Sequence, residues 1–335
     1  MENNSDRKVN FIYLYKIVFT IAIFHLHYYA WYGMKTGGWY IGVDFFFLVS
    51  GFLLSDEFFE KKRLNLSITE WIKHKVKRLW PHYIVSLMIL IIAMHDVSIY
   101  KALLEAIWMN FACLGNNINT PDWYVVVLFW IEIIYFILFK YILKKNRCSR
   151  YSVINGVICL FVYSILIIRM GNIDLWTNVK GIIPMGLVRG FCGIGVGMSL
   201  REISTKKYFE NKCGNSSFNK FFTMLLVSII LILTYKKAWS RWDLVALIIY
   251  CVVVLISFKC YLPNKVSCHI QTLSRLSYPA YLNQTFLIKV FSRIFNYHMH
   301  KWYTFLCFVV IDFLFAFILD RYIISEIEKV VKRER

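Results

Sequence analysis

Apolar residues come along this chain in long blocks separated by short polar stretches. Read as helices, the blocks cover residues 11–31, 38–55, 81–95, 123–143, 152–169, 181–200, 220–235, 241–258, 276–296 and 303–320. A bilayer core takes roughly 20 apolar residues of helix, and several blocks reach that length. The second and ninth blocks are less apolar than the rest. One carries glycines and an acid, the other Asn283, Gln284 and Lys289. Polar groups at that depth face protein or water, so these two blocks predict a polar cavity inside a helical bundle.

Composition sharpens this picture. The chain is 59% hydrophobic, whereas soluble domains run near 45–50%. A soluble core of this size has no room for so many apolar blocks. The first block lacks a small-residue cleavage site, and aromatic residues and His continue through its end. It therefore reads as a transmembrane helix and not as a cleaved signal. No repeat or soluble domain stands out. The predicted fold class is an all-α integral membrane protein, a bundle of about ten transmembrane helices forming a single domain over residues 1–335.

The net charge of +19 first suggests nucleic acid. The basic residues, however, fall in the short connections between apolar blocks, so the charge is read as topological and no nucleic-acid partner is expected. An even number of spans puts both termini on one side. About 26 Lys and Arg lie on the side of the termini and about 9 on the other, which predicts cytoplasmic termini. The nine Cys are scattered without C-x-x-C spacing. They read as small buried hydrophobes, with neither a metal site nor a disulfide framework expected. Asn65-Leu66-Ser67 matches a glycosylation acceptor pattern, but it falls on the cytoplasmic side.

Four clusters carry candidate chemistry. The first is His25 and His27 near the outer end of the first span. Two positions apart on a helix is about 200°, so only one of them can face a given pocket. Either is an interfacial histidine, or one is a general base titrating near neutral pH. The second is Asp44 within Gly42-Val43-Asp44-Phe45-Phe46-Phe47-Leu48-Val49-Ser50-Gly51-Phe52. Spans one and two form an antiparallel hairpin, so Asp44 is expected at the depth of His27. There it orients an imidazole, or it caps its own helix. The third is Lys75 and Arg78, three apart on one helix face before the third span. They serve as a phosphate clamp or as a positive-inside anchor at the lipid surface. The fourth is Lys16, inside the first span, a position where a cation is usually functional or paired. Eleven residues of helix, roughly 16 Å, separate Lys16 from His27, about the reach of an extended pantetheine arm. Arg189, mid-span among glycines, is a further cation for the cavity. Asp122-Trp123-Tyr124 marks an acceptor entrance or an interfacial aromatic belt, and Glu132 lies mid-span with no partner apparent in sequence.

These pieces, in this order, resemble the acyltransferase family 3 membrane proteins. The resemblance rests on the basic-residue-to-His spacing in span one, on GVDFFFLVSGF, on the basic pair before Leu79-Trp80-Pro81, and on Leu276-Ser277-Tyr278-Pro279-Ala280-Tyr281-Leu282. It runs across nearly the whole chain. It implies a ten-helix membrane-bound O-acyltransferase that moves an acyl group, usually acetyl, from cytoplasmic acyl-CoA to a hydroxyl of an extracytoplasmic acceptor such as a cell-surface carbohydrate. The family's spacing from basic residue to His selects His27 over His25, and its paired arginines before helix three match Lys75 and Arg78. Lys stands for Arg at positions 16 and 75, which weakens bidentate phosphate contact. Asn283-Gln284 stands where a His is often found, and the helix-four pattern is only partly echoed by Trp123-Tyr124.

The expectation is therefore a multi-pass protein of the cell membrane. His27 is the base and Asp44 its orienting partner, while Lys16, Lys75, Arg78 and Arg189 hold the donor. Acyl-CoA is a donor substrate and not a resident cofactor. The alternative is a transporter or flippase of a glycan or lipid intermediate, which uses the same polar cavity without chemistry.

Overall fold

In lipid every backbone amide must be satisfied within the protein, and apolar blocks of this length meet that demand as helices. The computed structural model describes residues 9–94, 97–109, 117–143, 148–174, 178–179, 183–206, 209, 215–295 and 300–327. The predicted span ends at 95, 181 and 296, and basic residues used for orientation such as Arg7, Lys8, Lys144 and Lys329, lie outside the described residues.

The helices are α1 (Ile12–Trp31), α2 (Gly42–Phe59), α3 (Ile68–Met94), the short α4 (Ile99–Ala106) and α5 (Trp123–Ile137). Then follow α6 (Cys148–Met170), α7 (Met185–Ser204), α8 (Ser217–Lys236), α9 (Trp242–Ser257), α10 (Asn264–Phe295) and α11 (Trp302–Ile318). Both α5 and α11 run on into π-helical turns, Leu138–Ile142 and Leu319–Ile324. Between α6 and α7, β1 (Asn178–Val179) pairs antiparallel with β2 (Ile183–Pro184).

Five helical segments are long and apolar enough to cross a membrane: Ile68–Met94, Thr120–Ile142, Arg150–Met170, Ser217–Lys236 and Trp302–Ile327. Their outward faces are apolar. Val157 and Phe161 on α6, Phe218 and Ile232 on α8, and Val310 and Leu314 on α11 are each more than half exposed, a surface that lipid covers and water does not. By contrast α1, α2, α7 and α10 carry Lys16, Asp44, Arg189 and Asn283 into the interior.

Two helices, α3 and α10, begin far ahead of their predicted spans, and both extensions matter to the site. α3 begins at Ile68, far ahead of residue 81, because Ser67 and Glu70 form a reciprocal cap. The Ser67 amide donates to Glu70 Oε2 at 2.7 Å, and the Glu70 amide to Ser67 Oγ at 3.2 Å. The helix then runs through Pro81 without a break, so the whole basic stretch is helical. α10 begins at Asn264 and passes through Pro279. At the centre of the bundle α2 and α7 pack backbone to backbone. A Cβ on Gly51 would run into the Ile194 carbonyl oxygen, and one on Gly197 into that of Leu48. Small residues at such crossings are how helices approach closely in lipid.

Candidate active site

A cavity of about 470 Å³ lies between α1, α2, α3, α5, α10 and the π turn after α11. Its walls mix aliphatic side chains with hydroxyls. Ser50 Oγ and Tyr124 Oη stand 3.3 Å apart, while Tyr278 donates to the Leu79 carbonyl (2.9 Å) and Tyr281 to the Pro121 carbonyl (2.8 Å). These bonds tie α10 to α3 and to the turn before α5. Pro279 faces the same space.

Lys16 and Arg78 line this cavity. Lys16 has no carboxylate within ion-pair distance among the described residues, and its ammonium lies over the Tyr13 ring at 5.8 Å. Arg78 is 56% exposed and touches Glu57 at 3.4 Å. An unspent cation and a loosely held one, facing a half-apolar space, suit an anionic ligand with a long neutral arm.

Lys75 is placed differently. It lies behind the cavity wall on a small adjoining recess that it shares with Arg78. Its ammonium sits 3.0 Å from Glu57 and 2.8 Å from Glu132, over the Trp71 ring at 4.4 Å, and its side chain is 3% exposed. Two carboxylates already neutralise it. Glu132, which has no partner evident in sequence, is thus one leg of a buried triad.

Arg189 and Asp44 also belong together and apart from the cavity. Arg189 Nη2 and Nε donate to Asp44 Oδ2 and Oδ1 at 2.7 and 3.3 Å, and Nη1 lies 3.5 Å from Asp174. The Tyr163 hydroxyl stands 3.0 Å from Asp44 Oδ1 and 2.7 Å from the Arg189 carbonyl oxygen. Asp44 is fully buried.

The expected contact between Asp44 and His27 is not formed. α2 begins beside α1 at Gly42, whose α-carbon faces Ile23 and the Phe19 carbonyl. The hairpin is therefore offset, and His27 lies about a turn beyond the start of α2. Asp44 is two residues past Gly42, about 200° around the helix, and so points away from α1 toward α7. Nor does His27 have a hydrogen-bond partner among the described residues. It is half-buried on α1, about 10 Å beyond Thr20, which lines the cavity. His25 faces the other way, its ring packed between Tyr29, Trp39 and Phe305 at 4.5 to 5.8 Å.

Sequence reasoning passed over several residues that the fold brings to the site. Arg275, His82 and Asp320 line the cavity, and Glu57 holds Lys75. Apart from the cavity lining, Asp312 in α11 is fully buried with both carboxylate oxygens unpartnered among the described residues. A lone acid inside an apolar span was the available signal.

A family model described as an acyltransferase domain matches residues 9–321, nearly the whole chain. Comparison with curated proteins gave no match, and neither did comparison with solved structures. With its apolar helices and this near-complete match, the chain belongs to acyltransferase family 3, and its role is acyl transfer in a membrane.

Proposed function

We propose that the protein transfers an acyl group, acetyl in the first instance, from cytoplasmic acyl-CoA to a hydroxyl of an extracytoplasmic acceptor, a cell-surface carbohydrate. In this reading the chain crosses the plasma membrane ten times with both termini in the cytoplasm, as the Lys and Arg bias suggests. One observation carries the proposal. Lys16 and Arg78 line a cavity reaching into the bundle from its basic end, and Lys16 shares α1 with His27, roughly 16 Å farther along. Donor phosphates rest on the two cations, and the arm points along α1.

The chemistry asks little of the remaining residues. His27 accepts the proton of the acceptor hydroxyl as its oxygen attacks the thioester carbonyl. The carbon–sulfur bond then breaks, and the departing thiolate takes the proton that His27 accepted, giving the ester, free CoA and neutral His27. The cavity ends short of His27, so arm or acceptor must cross the remaining distance. Lys75 and Arg189, already matched by carboxylates, support the frame around the donor and do not grip it. Asp44 anchors α7 to α2 and does not orient His27.

Two measurements test this. His27→Ala abolishes acetylation of surface glycans in cells while the amount of protein in the membrane stays unchanged. Purified protein binds CoA, which a glycan or lipid transporter has no reason to do. Full activity in the His27 variant removes the mechanism, and absence of CoA binding removes the donor.

A further inference from the structure

At the mouth of the cavity three side chains from distant parts of the chain meet. Asp320 Oδ2 accepts from Arg275 Nη2 at 2.9 Å, and Asp320 Oδ1 lies 3.1 Å from His82 Nε2. All three line the cavity. Asp320 sits in the π-helical turn Leu319–Ile324, a widened helix geometry that recurs at functional sites.

Exposure orders the basic side chains of the cavity. Lys16 is half-buried, Arg78 is 56% exposed and Arg275 is 67% exposed. Lys16 is thus the most enclosed of the three, and Arg78 and Arg275 both reach solvent. Among its described lining residues Asp320 is the one acid, against Lys16, Arg78 and Arg275. The positive excess suits a ligand with more than one phosphate locus. A CoA thioester has two. Its diphosphate adjoins the pantetheine arm, and a further phosphate on the ribose 3′-oxygen lies at the end farthest from the thioester.

Resting on the donor reading above, we infer that Arg275 is the ligand of the ribose 3′-phosphate, and that Asp320 holds Arg275 at the rim until this phosphate displaces it. If Lys16 and Arg78 take the diphosphate, Arg275 is the Lys or Arg of the described lining left for the remaining phosphate. The exchange is favourable because Arg275, 67% exposed, is held by Asp320 through one contact, whereas a guanidinium meets phosphate through two parallel hydrogen bonds. His82, already within reach of Asp320, receives the carboxylate when Arg275 leaves it. The consequence is selectivity for CoA thioesters over pantetheine carriers that lack the 3′-phosphate.

Isothermal titration of the purified full-length protein with CoA and with 3′-dephospho-CoA tests this. Wild type is expected to prefer CoA. Arg275→Ala weakens CoA binding about tenfold or more, the scale of a lost charge-assisted contact, and leaves dephospho-CoA binding unchanged. Arg275→Lys restores part of the preference. Asp320→Asn acts in the opposite direction and tightens CoA binding alone. Equal binding of the two nucleotides to wild type, with affinity still lost in Arg78→Ala, overturns the 3′-phosphate subsite while the donor reading stands. A loss in Asp320→Asn equal to that in Arg275→Ala also overturns it, since it marks the pair as merely structural. If wild type binds neither nucleotide, the subsite falls together with the donor reading.

Discussion

Arg189 of α7 grips both oxygens of Asp44 of α2, at 2.7 and 3.3 Å, in a place where each side chain is at most 4% exposed. The pair joins the two helices that pack most intimately. Breaking a buried ion pair from one side leaves an unmatched charge and costs about 3–5 kcal/mol. Asp44→Ala and Arg189→Ala are each expected to lower the thermal unfolding midpoint in detergent and reduce protein in the membrane. Asp44→Leu combined with Arg189→Met recovers most of the loss. Single variants as stable as wild type would show that the pair does not hold α2 to α7.

The same crossing sets a steric prediction. Gly51→Ala drives a methyl group into the Ile194 carbonyl, which is backbone and cannot turn aside. Overpacking of this kind costs about 1–3 kcal/mol. The variant should melt earlier than wild type, and Gly51→Val earlier still. A melting temperature that does not move would mean that the helices separate more easily than their contact implies.

Lys75 and Arg78, three residues apart, should fail in different ways. Lys75→Met strips the cation from between Glu57 and Glu132 and leaves two buried carboxylates facing each other. The expected readout is a stability loss of about 3–5 kcal/mol. Arg78→Ala removes a side chain that is more than half exposed, so the melting temperature should hardly change. Its effect appears instead as a KM for the acyl donor raised about tenfold, the scale of one charge-assisted contact. A raised KM with intact stability in Lys75→Met would return Lys75 to the donor site.

Glu105 on α4, outside the spans, gives a pH dependence. Burial pushes its carboxyl above the ordinary value of 4.5, and the amide N–H groups of Ile118 and Asn119, at 2.9 and 3.0 Å, offset this only in part. The folded protein therefore binds this proton more tightly than the unfolded chain does. The stabilisation is complete below 4.5 and is lost as pH rises through the higher folded value. Melting curves from acidic to neutral pH should show that decline in wild type and a flatter profile in Glu105→Gln. Parallel profiles would remove Glu105 as the cause.

The helices were legible because lipid forces a simple rule on long apolar blocks, and among the described residues helix lies within each block that the pattern marks. Their ends were less so. A hydropathy window rejects Lys73 to Arg78, yet the Ser67–Glu70 cap starts α3 well before them. Pairing was the hardest to read. Asp44 and His27 look level when two spans are drawn as a hairpin, but the drawing carries neither the offset at Gly42 nor the direction a side chain takes around its helix. Arg189 was legible as an interior cation, and its partner was not, because 145 residues separate it from Asp44. Arg275 counted only as one more positive charge on the cytoplasmic side. Its meeting with Asp320 depends on how α10 and α11 lean together.

The cavity that stops short of His27 has a bearing on the cell as well as on the reaction. In the proposed reaction the substrates arrive from opposite compartments, and a protein that serves both risks becoming a pore. Here the lining of the cavity ends on α1 at Thr20, about 10 Å short of His27, so the cavity does not by itself form an open channel along α1. On the proposed donor reading, passage is left to a tethered arm that enters, delivers its cargo and withdraws.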